Sequence, residues 1–215
     1  MRLAELSERS GVPTATIKYY LRERLLPAGR RITATRSAYD EEHLRRLRLV
    51  RALIQVGRIP VSTAREALAA VEDDSLDQLS RLGVAVEALP HGPGPDESSP
   101  STAVARRTAA ELLRQCGRHV NLEIADGSRA FGMLVAALAA LHRLGYACDT
   151  AHLLPYARQA AQLAVVDLDL VEECATPAEQ VAAAVALTVL YEPVLLSLRR
   201  LAAAEESNKR YGSGS

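Results

Sequence analysis

Apolar residues recur every three to four positions along most of the chain, the spacing of helices that bury one face. In RLAELSER, residues 2–9, Leu3 and Leu6 share a side, and Gly11 comes next where a left-handed residue ends a helix. Val12 and Pro13 make a turn, Thr14 can cap the next segment, and TATIKYYLRERL reads as a second helix. Within it Ile17, Tyr20 and Leu21 fall at i, i+3 and i+4 and point inward, whereas Ala15, Lys18, Tyr19 and Arg22 share the opposite, open face. Leu25 and Leu26 close this helix and Pro27 ends it. The β-branched, arginine-rich stretch from Arg30 to Arg36 then suits a two-stranded ribbon. Asp40 caps a third helix, DEEHLRRLRLVRALIQVG, whose inner stripe is Leu44, Leu47, Val50 or Arg51, and Ile54. Pro60 opens a fourth, VSTAREALAAVE.

Past residue 72 the periodicity weakens. Residues 73–101 are acidic and then rich in Pro, Gly and Ser, the composition of a linker. Helical patterns resume over residues 102–206, in TAVARRTAAELLRQCG, in SRAFGMLVAALAALHRLG, from Thr150 to Glu173 and from Pro177 to about Glu206. Four such helices are expected to form a bundle, with the second, apolar nearly all round, at its centre. Pro193 is expected to kink the last helix near Val189 and Leu190. The apolar positions Leu187, Leu190, Val194, Leu198 and Leu201 of that helix suit either a dimer seam or an internal core face. Residues 207–215 read as a disordered tail, in which GSGS resembles an expression remnant. The expected fold class is mostly α: an N-terminal winged helix-turn-helix domain with a small two-stranded wing over residues 1–72, and a C-terminal helical bundle.

Charge sharpens this division. The 215 residues carry 26 Lys and Arg against 26 Asp and Glu, yet residues 1–72 hold 14 basic against 8 acidic side chains, leaving 12 against 18 for the rest. A cationic head on an anionic body points to a nucleic-acid partner, although a basic face is also simply a solvated one. Trp is absent, Phe131 is the only phenylalanine, and Ala, Leu and Val dominate, which favours helices over strands. Cys116, Cys148 and Cys174 are odd in number and far apart, so they read as reduced core thiols. Cys116 and His119 form the one close Cys/His pair, and two donors are too few for a closed metal site. No nucleophile stands beside a base at a meaningful spacing and no phosphate loop occurs, so no catalytic residue, cofactor or metal is expected. No apolar run is read as approaching the ~18 residues of a membrane span, and no secretory signal core follows Met1, so a cytoplasmic protein without membrane contact is expected.

Two short helices joined by a glycine-containing turn, the second presenting Lys18, Tyr19 and Arg22 outward, meet the mechanical demands of a helix-turn-helix entering the major groove of double-stranded DNA. The ribbon and the arginines Arg45, Arg46, Arg48 and Arg51 of the third helix would extend the cationic ridge. LAELSERSGVPTATIKYYLRERLLPAGR, followed by Ala38, Tyr39, Asp40 and EEHLRRLRLVRAL, resembles the winged-helix head of the MerR family of transcription regulators over residues 1–72. The resemblance implies a homodimer bound to a pseudo-palindromic promoter site. It also implies groove contacts from Thr16, Lys18, Tyr19 and Tyr20 on the second helix, and from the wing residues Arg30, Arg31, Arg36 and Tyr39 on flanking backbone; Arg22, from the open helix face, and Thr14 complete the expected DNA-binding set.

The chain departs from the family pattern in several places. Leu21 stands where a glutamate is common, Arg24 where a glycine is usual, and Thr35, Arg36 and Ser37 replace the glycine-tyrosine-arginine of the typical wing. No sustained heptad seam follows Val71, so dimerisation is expected to pass to the C-terminal bundle. There Phe131, Met133, Tyr146, Tyr156 and Tyr191 fit either a pocket for a small-molecule effector that gates DNA binding or plain core filling. A second functional reading is a ligand-independent DNA-binding protein whose helical body contacts a sigma factor, RNA polymerase or another protein.

Overall fold

A computed structural model describes residues 1–33, 36–73, 75–90, 92–116 and 127–212. Nine helices and one two-stranded antiparallel sheet occur among these residues. In chain order they are α1 (Leu3–Ser10), α2 (Thr14–Arg22), β1 (Arg30–Thr33), β2 (Arg36–Ala38), α3 (Glu41–Gln55), α4 (Val61–Val71), α5 (Gln78–Glu87), α6 (Pro100–Gln115), α7 (Arg129–Arg143), α8 (Thr150–Glu172) and α9 (Pro177–Tyr211). They divide into two compact units, residues 1–89 with 174–215, and residues 90–173. Thr35 and His119 lie outside the described residues.

The first unit is organised around the apolar stripes of α1 to α4. Leu6, Ile17, Leu25, Leu44, Leu47, Leu53 and Leu68 are completely buried, and Val50 and Ala64 join them. The inner stripe of α3 includes Leu53, with Ile54 only half-buried. Gly11 ends α1 at φ +66°, where its lack of a Cβ removes the left-handed penalty. Thr14 is the first helical residue of α2 rather than its cap, which falls on Pro13 without a side-chain hydrogen bond. At α3 the Asp40 carboxylate accepts the His43 amide at 3.1 Å while His43 Nδ1 accepts the Asp40 amide, a reciprocal capping box. The His43 ring nitrogen Nδ1, 2.6 Å from Asp40 Oδ1, and then the His43 amide hold the Asp40 carboxyl below its usual range. Asp40→Ala is expected to cost about 1 kcal/mol in urea unfolding. Because the folded-state pKa is depressed, this contribution is present above the ordinary carboxylate range and fades as pH falls through the lowered value; the variant should lack that part of the acid loss.

Two expectations change here. Residues 78–87 of the expected linker form α5, capped by Asp77 and packed on α4, with Ala85 completely buried. The last helix belongs to the first unit, not to a C-terminal bundle: α9 packs on α3, α4 and α5 through Val181, Val185 and Val189, one turn apart on a single stripe. Gly57 permits this approach, because a Cβ there would lie 2.1 Å from Val189 Cγ1 and 2.7 Å from the Leu53 carbonyl oxygen. α9 opens with a Thr176–Glu179 capping box, runs through Pro193 and continues to Tyr211, so residues 207–211 are helical rather than a disordered tail. It also holds an 18-residue window of mean hydropathy 2.0, long and apolar enough to cross a membrane by length and composition, contrary to the expectation that no run approaches that length. The three core valines fall within its apolar stretch.

The second unit contains α6, α7 and α8. Ala105 and Ala109 of α6 meet Phe131, Val135, Leu138 and Ala139 of α7 in a small core. The helix that both others pack on is α6, not the more apolar α7, because alanines on α6 let its neighbours approach closely. Ser128 and Asp149 cap α7 and α8.

Candidate nucleic-acid interface

α1 and α2 meet through the turn at Gly11, and burial of Ile17 and Tyr20 fixes which face of α2 is left open. Lys18, Tyr19 and Arg22 are exposed on that face, with Thr14 beside them and Thr16 half-buried. The Arg22 guanidinium lies 5.5 Å from the Tyr19 ring centroid, a cation–π contact that orients the arginine without neutralising it. Among the described residues Lys18 and Arg22 take no acidic partner.

The wing pairs Arg30 with Ala38, Arg31 with Ser37 and Thr33 with Arg36, with a register shift between Arg31 and Thr33. Arg30, Arg31 and Arg36 are all exposed. Gly29 lets the ribbon leave the head under Tyr39, since a Cβ there would lie 2.8 Å from both the Ala38 carbonyl and the Tyr39 ring. The Met1 carbonyl accepts the Tyr39 amide at 2.8 Å and the Met1 ammonium donates back to the Tyr39 carbonyl. An Arg9–Glu41 pair joins α1 to the start of α3. These bonds seat the wing against a rigid support.

Not every expected contact residue reaches the surface. Tyr20 and Tyr39 are 6% and 8% exposed, and burial raises both phenol pKa values. Tyr39 packs edge-on against His43 at 5.2 Å, and Tyr20 belongs to the buried face of α2, behind its open face. The arginines of α3 form no cationic ridge. Arg46 is buried and donates through Nε to the Leu25 carbonyl at 3.0 Å and through Nη2 to the Leu68 carbonyl at 3.2 Å, with Glu72 at 2.9 Å. Arg45 pairs with Glu42 and faces Glu179, and Arg51 donates to the carbonyls of Ser10 and Gly11. Arg48 alone of the four stays exposed without such a bond among the described residues.

Arg24 adds a cation outside the expected contact set. It is exposed just beyond α2 at φ 59°, left-handed backbone that costs a residue with a Cβ. The signal was present in the family's usual glycine at this place. Arg24→Gly is expected to raise thermal stability by up to about 1 kcal/mol, read from the shift in midpoint.

The five aromatic and soft residues are divided between the two units. Phe131 is core of the second unit, Met133 is half-buried, and Tyr146 and Tyr156 are well exposed. Tyr191 stands on α9 in the first unit.

Two helices at a tight turn, an exposed cationic face on the second and an arginine-bearing wing define a winged helix-turn-helix DNA-binding protein. Residues 1–71 match the family described as MerR HTH family regulatory protein. The whole chain is similar to the crystal structure of a candidate transcriptional regulator from Streptomyces coelicolor A3(2), with 50% sequence identity, a TM-score of 0.82 and full coverage of both chains. No curated protein matches the chain. The chain belongs to the MerR family of transcription regulators. Both similarities are to regulators rather than enzymes.

Proposed function

We propose that this regulator binds a pseudo-palindromic promoter site as a homodimer in the cytoplasm. Lys18, Tyr19 and Arg22 read the major groove, Thr14 and Thr16 flank them, and Arg30, Arg31 and Arg36 of the wing hold adjacent phosphates. The observation that carries this reading is the exposure of Lys18, Tyr19 and Arg22 together on a helix whose other face is core. A helix fits the width of the major groove, and cations there pair with guanine edges or phosphates.

Support for the homodimer comes from the second half of α9. Tyr191, Val194, Leu198 and Leu201 are 41%, 50%, 59% and 68% exposed. Their spacings of three, four and three residues are those of a coiled-coil seam. Two copies joined there would cover this surface and present two recognition helices to successive turns of DNA, about 34 Å apart. Selection of binding sequences from a random duplex pool, with sedimentation of the resulting complex, tests the proposal. The expected result is an inverted repeat bound by two chains; a single unrepeated site bound by one chain overturns it.

A further inference from the structure

Ile32 stands 53% exposed in β1, the only large apolar side chain among the described residues of the wing. It belongs to neither apolar core. A single open isoleucine is ordinary on a protein surface, but the neighbours of this one are not. The ladder pairs Arg30 with Ala38, and side chains alternate along a strand, so Arg30, Ile32 and Arg36 share one face of the ribbon while Arg31 and Ser37 take the other. An apolar branch therefore shares its face with two cations. Both arginines are exposed, and neither takes an ion-pair partner among the described residues. The register shift falls at Ile32 itself, between Arg31 and Thr33, and a shift of this kind re-aims the side chain at the irregular position.

We propose that Ile32 enters the minor groove beside the α2 site and selects A·T pairs there, with Arg30 and Arg36 on the phosphates of its walls. The inference rests on the DNA-binding reading and adds to it a residue that determines specificity. The occupant follows from the face. Its cations call for an anionic surface, and the ribbon belongs to the same head as the open face of α2. The minor groove supplies that surface: sugar carbons line its walls, phosphates crest them, and a width of about 6 Å leaves room for one branched side chain.

Selection follows from the groove floor. An A·T pair presents only the adenine N3 and thymine O2 acceptors there, whereas a G·C pair adds the guanine 2-amino group, which projects into the space the isoleucine fills. Runs of A·T also narrow the groove and deepen its negative potential, which favours the two arginines. Both effects act about half a helical turn, roughly five base pairs, from the positions that α2 reads.

The test uses the full chain and a duplex carrying its selected site. Adenines in the flanking minor groove are replaced by 2,6-diaminopurine, which adds a 2-amino group to the floor and leaves the major-groove edge unchanged. The expected result is binding weakened about ten-fold for the wild-type chain. Ile32→Ala should bind the unmodified duplex about five-fold more weakly, lose no more than about two-fold to diaminopurine, and unfold in urea as the wild-type chain does. Ile32→Val should keep the full response. Changing flanking G·C pairs to inosine·C, which removes the same amino group, should restore the affinity lost to them. A wild-type chain indifferent to diaminopurine, or an Ile32→Ala chain as sensitive as the wild type, overturns the role of Ile32 and leaves the α2 reading intact. A chain that selects no sequence at all overturns both.

Discussion

Alanine at Lys18 or Arg22 is expected to weaken binding to the selected site by about 1–3 kcal/mol where the side chain reads a base, or to reduce the salt slope by about one where it holds a phosphate. Both side chains stand on the open face of α2, and neither has an acidic partner among the described residues. Folding should be untouched, because neither residue contributes to the core around Ile17 and Leu44. Arg22→Ala carries a second consequence. It removes the cation from the Tyr19 face, so loss of the tyrosine's orientation adds to loss of the charge. Affinity and salt slope both unchanged in the two variants would remove this face from the interface.

Arg46→Ala is expected to destabilise the folded chain by about 2–4 kcal/mol in urea unfolding. Arg46 is 8% exposed, and its guanidinium satisfies two backbone carbonyls from different parts of the head, Leu25 after α2 and Leu68 in α4. Burial lowers the Arg46 pKa, an effect that Glu72 opposes. Removing the side chain leaves two carbonyls without their donor and opens a void. Arg46→Met, which fills the volume but cannot donate, should recover the packing part of the loss and leave the hydrogen-bond part. A loss below about 0.5 kcal/mol for the alanine variant, the range of ordinary surface substitutions, would contradict this structural role.

The contrast between Arg22 and Arg46 shows what the sequence could reveal. The faces of α2 were legible because Ile17 and Tyr20 repeat at helical spacing and leave Lys18, Tyr19 and Arg22 opposite them. The capping box at Asp40 and the wing between Arg30 and Ala38 were legible for the same local reason. The fate of Arg46 was not, since its burial depends on carbonyls of Leu25 and Leu68, 21 and 22 residues away. Spacing alone made it look like Arg45 and Arg48.

Helix α5 read as only weakly helical because of its acidic approach and Gly83, while its stability comes from packing on α4 and α9. The stripe Val181, Val185 and Val189 announced a buried face on α9 without naming what covers it. The clue was Gly57, which reads locally as a helix end and in three dimensions is the contact point for Val189. Nor could the sequence tell which unit each helix joins: Phe131, Met133, Tyr146 and Tyr156, spread over α7, α8 and the loop between them, lie in one unit, and Tyr191 of α9 in the other.

The central claim is that the open face of α2 occupies the major groove, and methylation protection tests it most directly. Dimethyl sulfate attacks guanine N7 in the major groove and adenine N3 in the minor groove. The full chain bound to its selected site should protect guanine N7 positions in two patches about one helical turn apart, and Lys18→Ala or Arg22→Ala should expose individual guanines within each patch. Protection confined to adenine N3, or a guanine pattern unchanged in both variants, would contradict the account.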